Sequence, residues 1–112
     1  MADTQLMKGI LEGCTLALIA EGETYGYQIL SDMAAHGFTD VLEGTLYPIL
    51  TRLERNGLIQ CRKAKSPLGP VRKYYSITEH GSEYLREFRK NYTYVTACAD
   101  SILNGKDIDG ST

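Results

Sequence analysis

The chain has 112 residues, 43% of them hydrophobic and 23% charged, enough for one globular domain with little left for a second. A net charge of −2 and a pI of about 5.6 exclude a uniformly basic nucleic-acid binder. Three scattered cysteines (Cys14, Cys61 and Cys98) without a C-x-x-C pair argue against a disulfide framework or a zinc site, so no metal or cofactor is expected, and they suit a reducing, cytoplasmic setting.

Taken in chain order, residues 4–20 read as a first helix that is apolar almost all round, through Leu6, Met7, Ile10, Leu11, Cys14, Leu16, Leu18 and Ile19. Glu12 interrupts the run GILEGCTLALIA and Lys8 is the one base before it, so it is not read as a signal peptide. No segment reaches the roughly 18 apolar residues of a membrane span. Thr24 is expected to cap a second helix near 25–36, with Tyr25, Ile29, Leu30 and Met33 toward a core and Gly37 as its stop.

Residues 43–56 give a third helix in which Leu46, Ile49, Leu50 and Leu53 share one side. Pro48 falls in its first turn if the cap is near Gly44 or Thr45, because early helical N–H groups have no intrahelical partner. Gly57 ends it. Leu58–Lys63 and Val71–Ile77 then read as two strands around AKSPLGP, a hairpin with a longer loop. Thr78 opens a last helix whose apolar positions Leu85, Phe88, Tyr92, Val95, Ala99 and Ile102 are spaced as in a coiled-coil seam. The expected fold is mainly α with a small β-hairpin wing. It comprises a winged helix-turn-helix domain over 1–78, a dimerisation helix over 79–104 and a flexible tail over 105–112.

Charge is distributed unevenly along this plan. From Arg52 to Lys73, seven bases against one acid give +6, while five against thirteen elsewhere give −8. Such asymmetry fits a surface for a polyanion, though a solvated charged loop has the same composition. On the outer side of the third helix lie Gly44, Tyr47, Pro48, Thr51, Arg52 and Arg55, with Thr45 at its start. In a helix-turn-helix this second helix enters the major groove, where hydroxyls suit phosphates and arginine suits guanine. The hairpin adds Lys63, Lys65, Arg72 and Lys73, beside Arg62, and can lie along the DNA backbone. Helix and wing together favour double-stranded DNA as partner.

The stretches EGTLYPILTRLERNGLI and VRKYYSITEHG, with KGILEGCTLALIAEGETYGYQIL before them, resemble the PadR-like transcriptional regulators over about residues 8–85. The resemblance implies a winged-helix repressor acting as a homodimer on a palindromic operator, in the family's short branch with one C-terminal helix. It also places Tyr47 and the exposed side of the third helix at DNA, with Arg72, Lys73 and Tyr74 on the wing.

The long seam needs a partner surface, and Leu6 and Ile10 of the first helix with Leu85, Phe88, Tyr92, Val95, Ala99 and Ile102 are the candidate dimer interface. Phe88 and Tyr92 are also candidates for holding a flat apolar effector, with plain aromatic packing as the alternative. Tyr25 and Tyr27 are read as structural, with a phosphate contact as the alternative. There is no G-x-S-x-G, no phosphate loop and no metal-ligand spacing, and His36 and His80 stand at helix ends, so an enzyme is not expected. A winged-helix module used only for protein contacts is the rival reading, and it has no need of a basic wing.

Overall fold

The computed structural model describes residues 4–109, with side chains placed for 5–105. The elements are α1 (Thr4–Ala20), α2 (Gly26–Ala35), α3 (Glu43–Arg55), β1 (Ile59–Lys65), β2 (Val71–Ile77) and α4 (Glu79–Asp109). The strands form an antiparallel hairpin pairing Ile59 with Ile77 and Lys65 with Val71, so Ala64 and Lys65 belong to β1 and not to the loop. The architecture is the expected winged helix with a long C-terminal helix.

α1 is the hub. It buries Leu11, Leu16 and Ile19 and touches α2, α3, α4 and β2. A helix with apolar residues on most sides needs cover from several directions, and here it has it. Only at its start does the cover fail, leaving Leu6 exposed. The core continues through Ile29 and Met33 of α2, the four apolar residues of α3, Leu58, Ile59 and Tyr75. Burial pushes the Tyr75 phenol up to about 12.

α3 buries Leu46, Ile49, Leu50 and Leu53, as their spacing predicts. Its start differs from expectation. The N-cap is Leu42, whose carbonyl accepts the N–H groups of Thr45 and Leu46 at 3.0 Å, so neither Gly44 nor Thr45 caps the helix and Pro48 lies in the second turn. Having no N–H, Pro48 cannot donate to the Gly44 carbonyl. The helix stays continuous because its anchors outweigh the proline. A proline in a helix interior costs about 3 kcal/mol, whereas each buried leucine or isoleucine contributes about 1.5–3 kcal/mol. At the far end Gly57 adopts φ +75°, the left-handed region. Its N–H donates to the Glu54 carbonyl and that of Leu58 to Leu53, both at 3.0 Å, which satisfies the last carbonyls of the helix.

Thr24 does not cap α2, whose N-cap is Tyr25. Thr24 instead exchanges backbone hydrogen bonds with Tyr75 at 3.0 and 2.7 Å, adding a one-residue third strand to the wing. Thr78 does cap α4: its hydroxyl accepts the Gly81 N–H at 2.9 Å and donates to the Gly57 carbonyl at 2.7 Å. A Cβ at Gly81 would collide with the Leu58 carbonyl, so only glycine allows this approach. α4 continues to Asp109, past the boundary expected at 104, so 105–109 are helical and 110–112 lie outside the described residues. The molecule measures 61 × 29 × 21 Å, with α4 projecting from the compact head.

Candidate nucleic-acid interface

On α3 the residues Gly44, Thr45, Tyr47, Pro48, Thr51 and Arg55 are exposed. Tyr47 is not a free side chain, since its ring lies across Gly26 at the start of α2, where a Cβ would meet the Tyr47 hydroxyl. That leaves it 39% exposed, a packed ring with one accessible edge. The Glu43 carboxylate at the start of α3 faces the Tyr27 phenol and raises its pKa. Thr51 donates to the Tyr47 carbonyl at 3.0 Å, and its oxygen can still accept. Arg52 departs from its expected place. Its Nε donates to Glu12 of α1 at 2.6 Å and the side chain is half-buried, so it holds α3 on α1. Of the two α3 arginines, Arg55 is exposed and forms no ion pair among the described residues.

The wing sorts its residues by strand alternation. Arg62 pairs with Tyr74 and Ala64 with Arg72 on one face, while Cys61 with Tyr75, Lys63 with Lys73 and Lys65 with Val71 share the other. The first face carries a brace. Arg62 binds Glu23 through two hydrogen bonds of 2.7 and 2.8 Å, which lowers the Glu23 pKa and raises that of Arg62. The Arg62 guanidinium lies 4.9 Å from the Tyr74 ring centre, Tyr74 meets Tyr25 edge-on at 5.8 Å, and Arg72 lies 4.1 Å over Tyr25. Tyr25 therefore supports the wing and not the core. The sequence missed this brace because its partners are distant, Glu23 and Arg62 being 39 positions apart.

On the second face Lys63 stands directly opposite Lys73, an unfavourable like-charge pair unless an anion lies nearby. The α2 start, α3 and the wing enclose a cleft of about 240 Å³ to which Tyr27, Tyr47, Arg72 and Lys73 contribute. Among the described residues, Arg55, Lys63, Lys65, Arg72 and Lys73 form no ion pair with a carboxylate. Around this cleft the hydroxyls of Tyr27 and Tyr47 meet the cations Arg72 and Lys73.

The other candidate residues lie on α1 and α4. Leu85 is buried in the chain's own core, so it cannot supply dimer surface as expected. Phe88 lies across Gly13 of α1, where a Cβ would meet its ring. Phe88 and Tyr92 stack at 6.3 Å and 19°, and with Ile10, Cys14, Ala17 and Phe38 they line an apolar cavity of about 450 Å³. Leu6, Tyr92, Val95, Ala99 and Ile102 are exposed. Cys14 and Cys61 are free thiols whose pKa burial raises, the mark of packed, unreactive sulfur. Among the described residues no group of His, Cys, Asp and Glu could hold a metal ion, and no helix is long and apolar enough to cross a membrane.

Comparison with known proteins bears on the family and the fold. Residues 15–87 match the Transcriptional regulator PadR-like family. An uncharacterised protein of Lysinibacillus sphaericus is 32% identical over 107 residues, covering 94% of this chain and 98% of its own. Among solved structures, a PadR-like transcriptional regulator from Bacillus cereus is 43% identical with a TM-score of 0.78, covering 89% of this chain and 97% of its own. A Streptococcus transcriptional regulator is 39% identical with the same TM-score, covering 89% and 98%. The chain belongs to the PadR-like family and is a DNA-binding transcriptional regulator.

Proposed function

We propose that this PadR-like regulator is a homodimeric repressor that binds a palindromic operator through α3 and the wing. In each half-site α3 enters the major groove and presents Gly44, Thr45, Tyr47, Pro48, Thr51 and Arg55, while Lys63, Lys65, Arg72, Lys73 and Tyr74 of the wing hold the backbone. Arg52 is left out of the contact set, its guanidinium being committed to Glu12. The observation that carries the reading is the set of five cations without carboxylate partners on α3 and the wing, including the opposed Lys63 and Lys73. A polyanion removes the repulsion that the fold leaves in place.

The dimer joins the exposed seam of α4 to that of a second copy, with Leu6 and Ile10 at its margin. Burying Tyr92, Val95, Ala99 and Ile102 there would put the two α3 helices about one DNA turn apart, roughly 34 Å. The cavity beside Phe88 and Tyr92 is the proposed seat of a small apolar effector whose binding weakens operator contact.

The test is a gel-shift titration with duplexes from the region just upstream of the encoding gene, at several salt concentrations. If most of the five cations of each protomer reach phosphates, log K should fall against log salt with a slope of about −5 to −9 for the dimer. Absence of a shift on every such duplex at low salt would overturn the reading.

A further inference from the structure

The tip of the wing has a composition that electrostatics does not explain. Lys63, Lys65, Arg72 and Lys73 flank it, yet Ser66–Val71 contains no charge and two prolines. Leu68 is 98% exposed, the most exposed large apolar side chain among the described residues, and Val71 is 64% exposed. A hairpin that only gripped phosphates would place lysine, serine or glycine at this point.

The turn is also held in shape. The Ser66 N–H donates to the Pro70 carbonyl at 3.1 Å and the Gly69 N–H to the Ser66 carbonyl at 3.3 Å, with Ser66 itself buried. Pro67 and Pro70 fix two backbone torsions, so little conformational freedom remains to be lost when Leu68 meets a surface. The result is a narrow, preformed apolar point carried between cations that would sit on the two phosphate rims.

We infer that Leu68 is an apolar wedge that enters the minor groove next to the α3 contact, pressing between base steps and bending the duplex. The inference rests on the functional reading above and assigns the wing tip a task beyond backbone contact. Leucine is among the side chains suited to partial unstacking of a base step, and the bend lets more of the wing reach phosphates. Because pyrimidine–purine steps such as TA and CA kink and unstack most easily, the wedge selects for such steps flanking the half-site without a hydrogen bond to any base.

The experiment compares wild type with Leu68→Ser, Leu68→Met and Lys63→Ala on the upstream duplex, measuring affinity across salt concentrations and end-to-end distance by fluorescence energy transfer. Leu68→Ser should weaken binding about tenfold, the loss expected for part of a buried leucine side chain. It should leave the salt slope unchanged, since no phosphate contact is removed, and should lengthen the end-to-end distance toward straight DNA. Leu68→Met should keep affinity and bend, whereas Lys63→Ala should flatten the slope. At 98% exposure Leu68 contributes nothing to the folded core, so its variants fold as wild type does. Wild-type affinity or an unaltered end-to-end distance in Leu68→Ser overturns the wedge while leaving DNA binding standing. Failure of the wild type itself to bind overturns both.

Discussion

The head and the outer part of α4 are built from similar proportions of apolar residues and treat them in opposite ways. In the head, Leu46, Ile49, Leu50 and Leu53 on one helix are all buried by neighbours in the same chain. On α4, Leu85 is buried and Phe88 half-buried, but every residue from 91 to 104 is exposed, including Val95 at 58% and Ile102 at 80%. Periodicity announces a buried face in both places, but it does not say which molecule does the burying. The head closes on itself because its helices differ in direction and can surround α1. α4 runs beyond the head, about 46 Å long at 1.5 Å per residue, and among the described residues no other element covers its outer part.

The largest break in this comparison should come from the seam. Val95→Asp places a charge in the proposed interface and is expected to convert the dimer to a monomer by sedimentation, with at least a hundredfold loss of operator affinity. Thermal unfolding of the head should still be cooperative. A dimer that survived would locate the interface elsewhere. Next, Leu50→Ala in the head should lower stability by about 2–5 kcal/mol in denaturant titrations, the range for a leucine truncated in a closed core. Ile102→Ala on the outer helix should change monomer stability by a few tenths of a kcal/mol. Equal costs at the two positions would erase the distinction drawn between the regions.

Arg55→Ala should reduce operator affinity about tenfold while the dimer persists, and should flatten the salt slope only if Arg55 meets phosphate and not a base. Arg52→Ala should instead reduce the stability of the head, since it releases Glu12. The smallest effect concerns the wing brace. The folded-state pKa of Glu23 is lowered by Arg62, so the brace is present above the ordinary carboxylate pKa and is lost as pH falls through the depressed value. Ring-proton shifts of Tyr74 and Tyr25 should move in that acidic window and should lose this dependence in Glu23→Gln. Both partners are solvent-accessible, so global stability should barely change.

These contrasts also mark what could be read in the sequence. Spacing was sufficient for the four buried residues of α3, for the hairpin and for the Thr78 cap, because each is decided within a few residues. The helix starts at Leu42 and Tyr25 were not legible, since the cap position depends on how the chain arrives from the preceding turn. Long-range pairings were hidden for a similar reason. Nothing local distinguishes Arg52, which meets Glu12 forty positions away, from Arg55, which meets no acid. Tyr25 looked like a core ring because helical spacing cannot show that a wing will fold back over the N-cap of α2. The polar composition of 105–109 concealed helix that the sequence reading ended at 104.

The joint at Thr78 has a mechanical consequence. One hydroxyl there binds both the end of α3, through the Gly57 carbonyl, and the first turn of α4, through the Gly81 N–H, while Gly81 sits against the Leu58 carbonyl. The two helices are thus bolted to one pivot with no slack between them. In the proposed dimer the crossing angle of the long helices then acts as a gear. A rotation of 1° at the pivot displaces a point one α4 length away by about 0.8 Å, from the rise per residue. A few degrees of scissoring between the arms would therefore shift the two reading heads out of step with the pitch of the duplex.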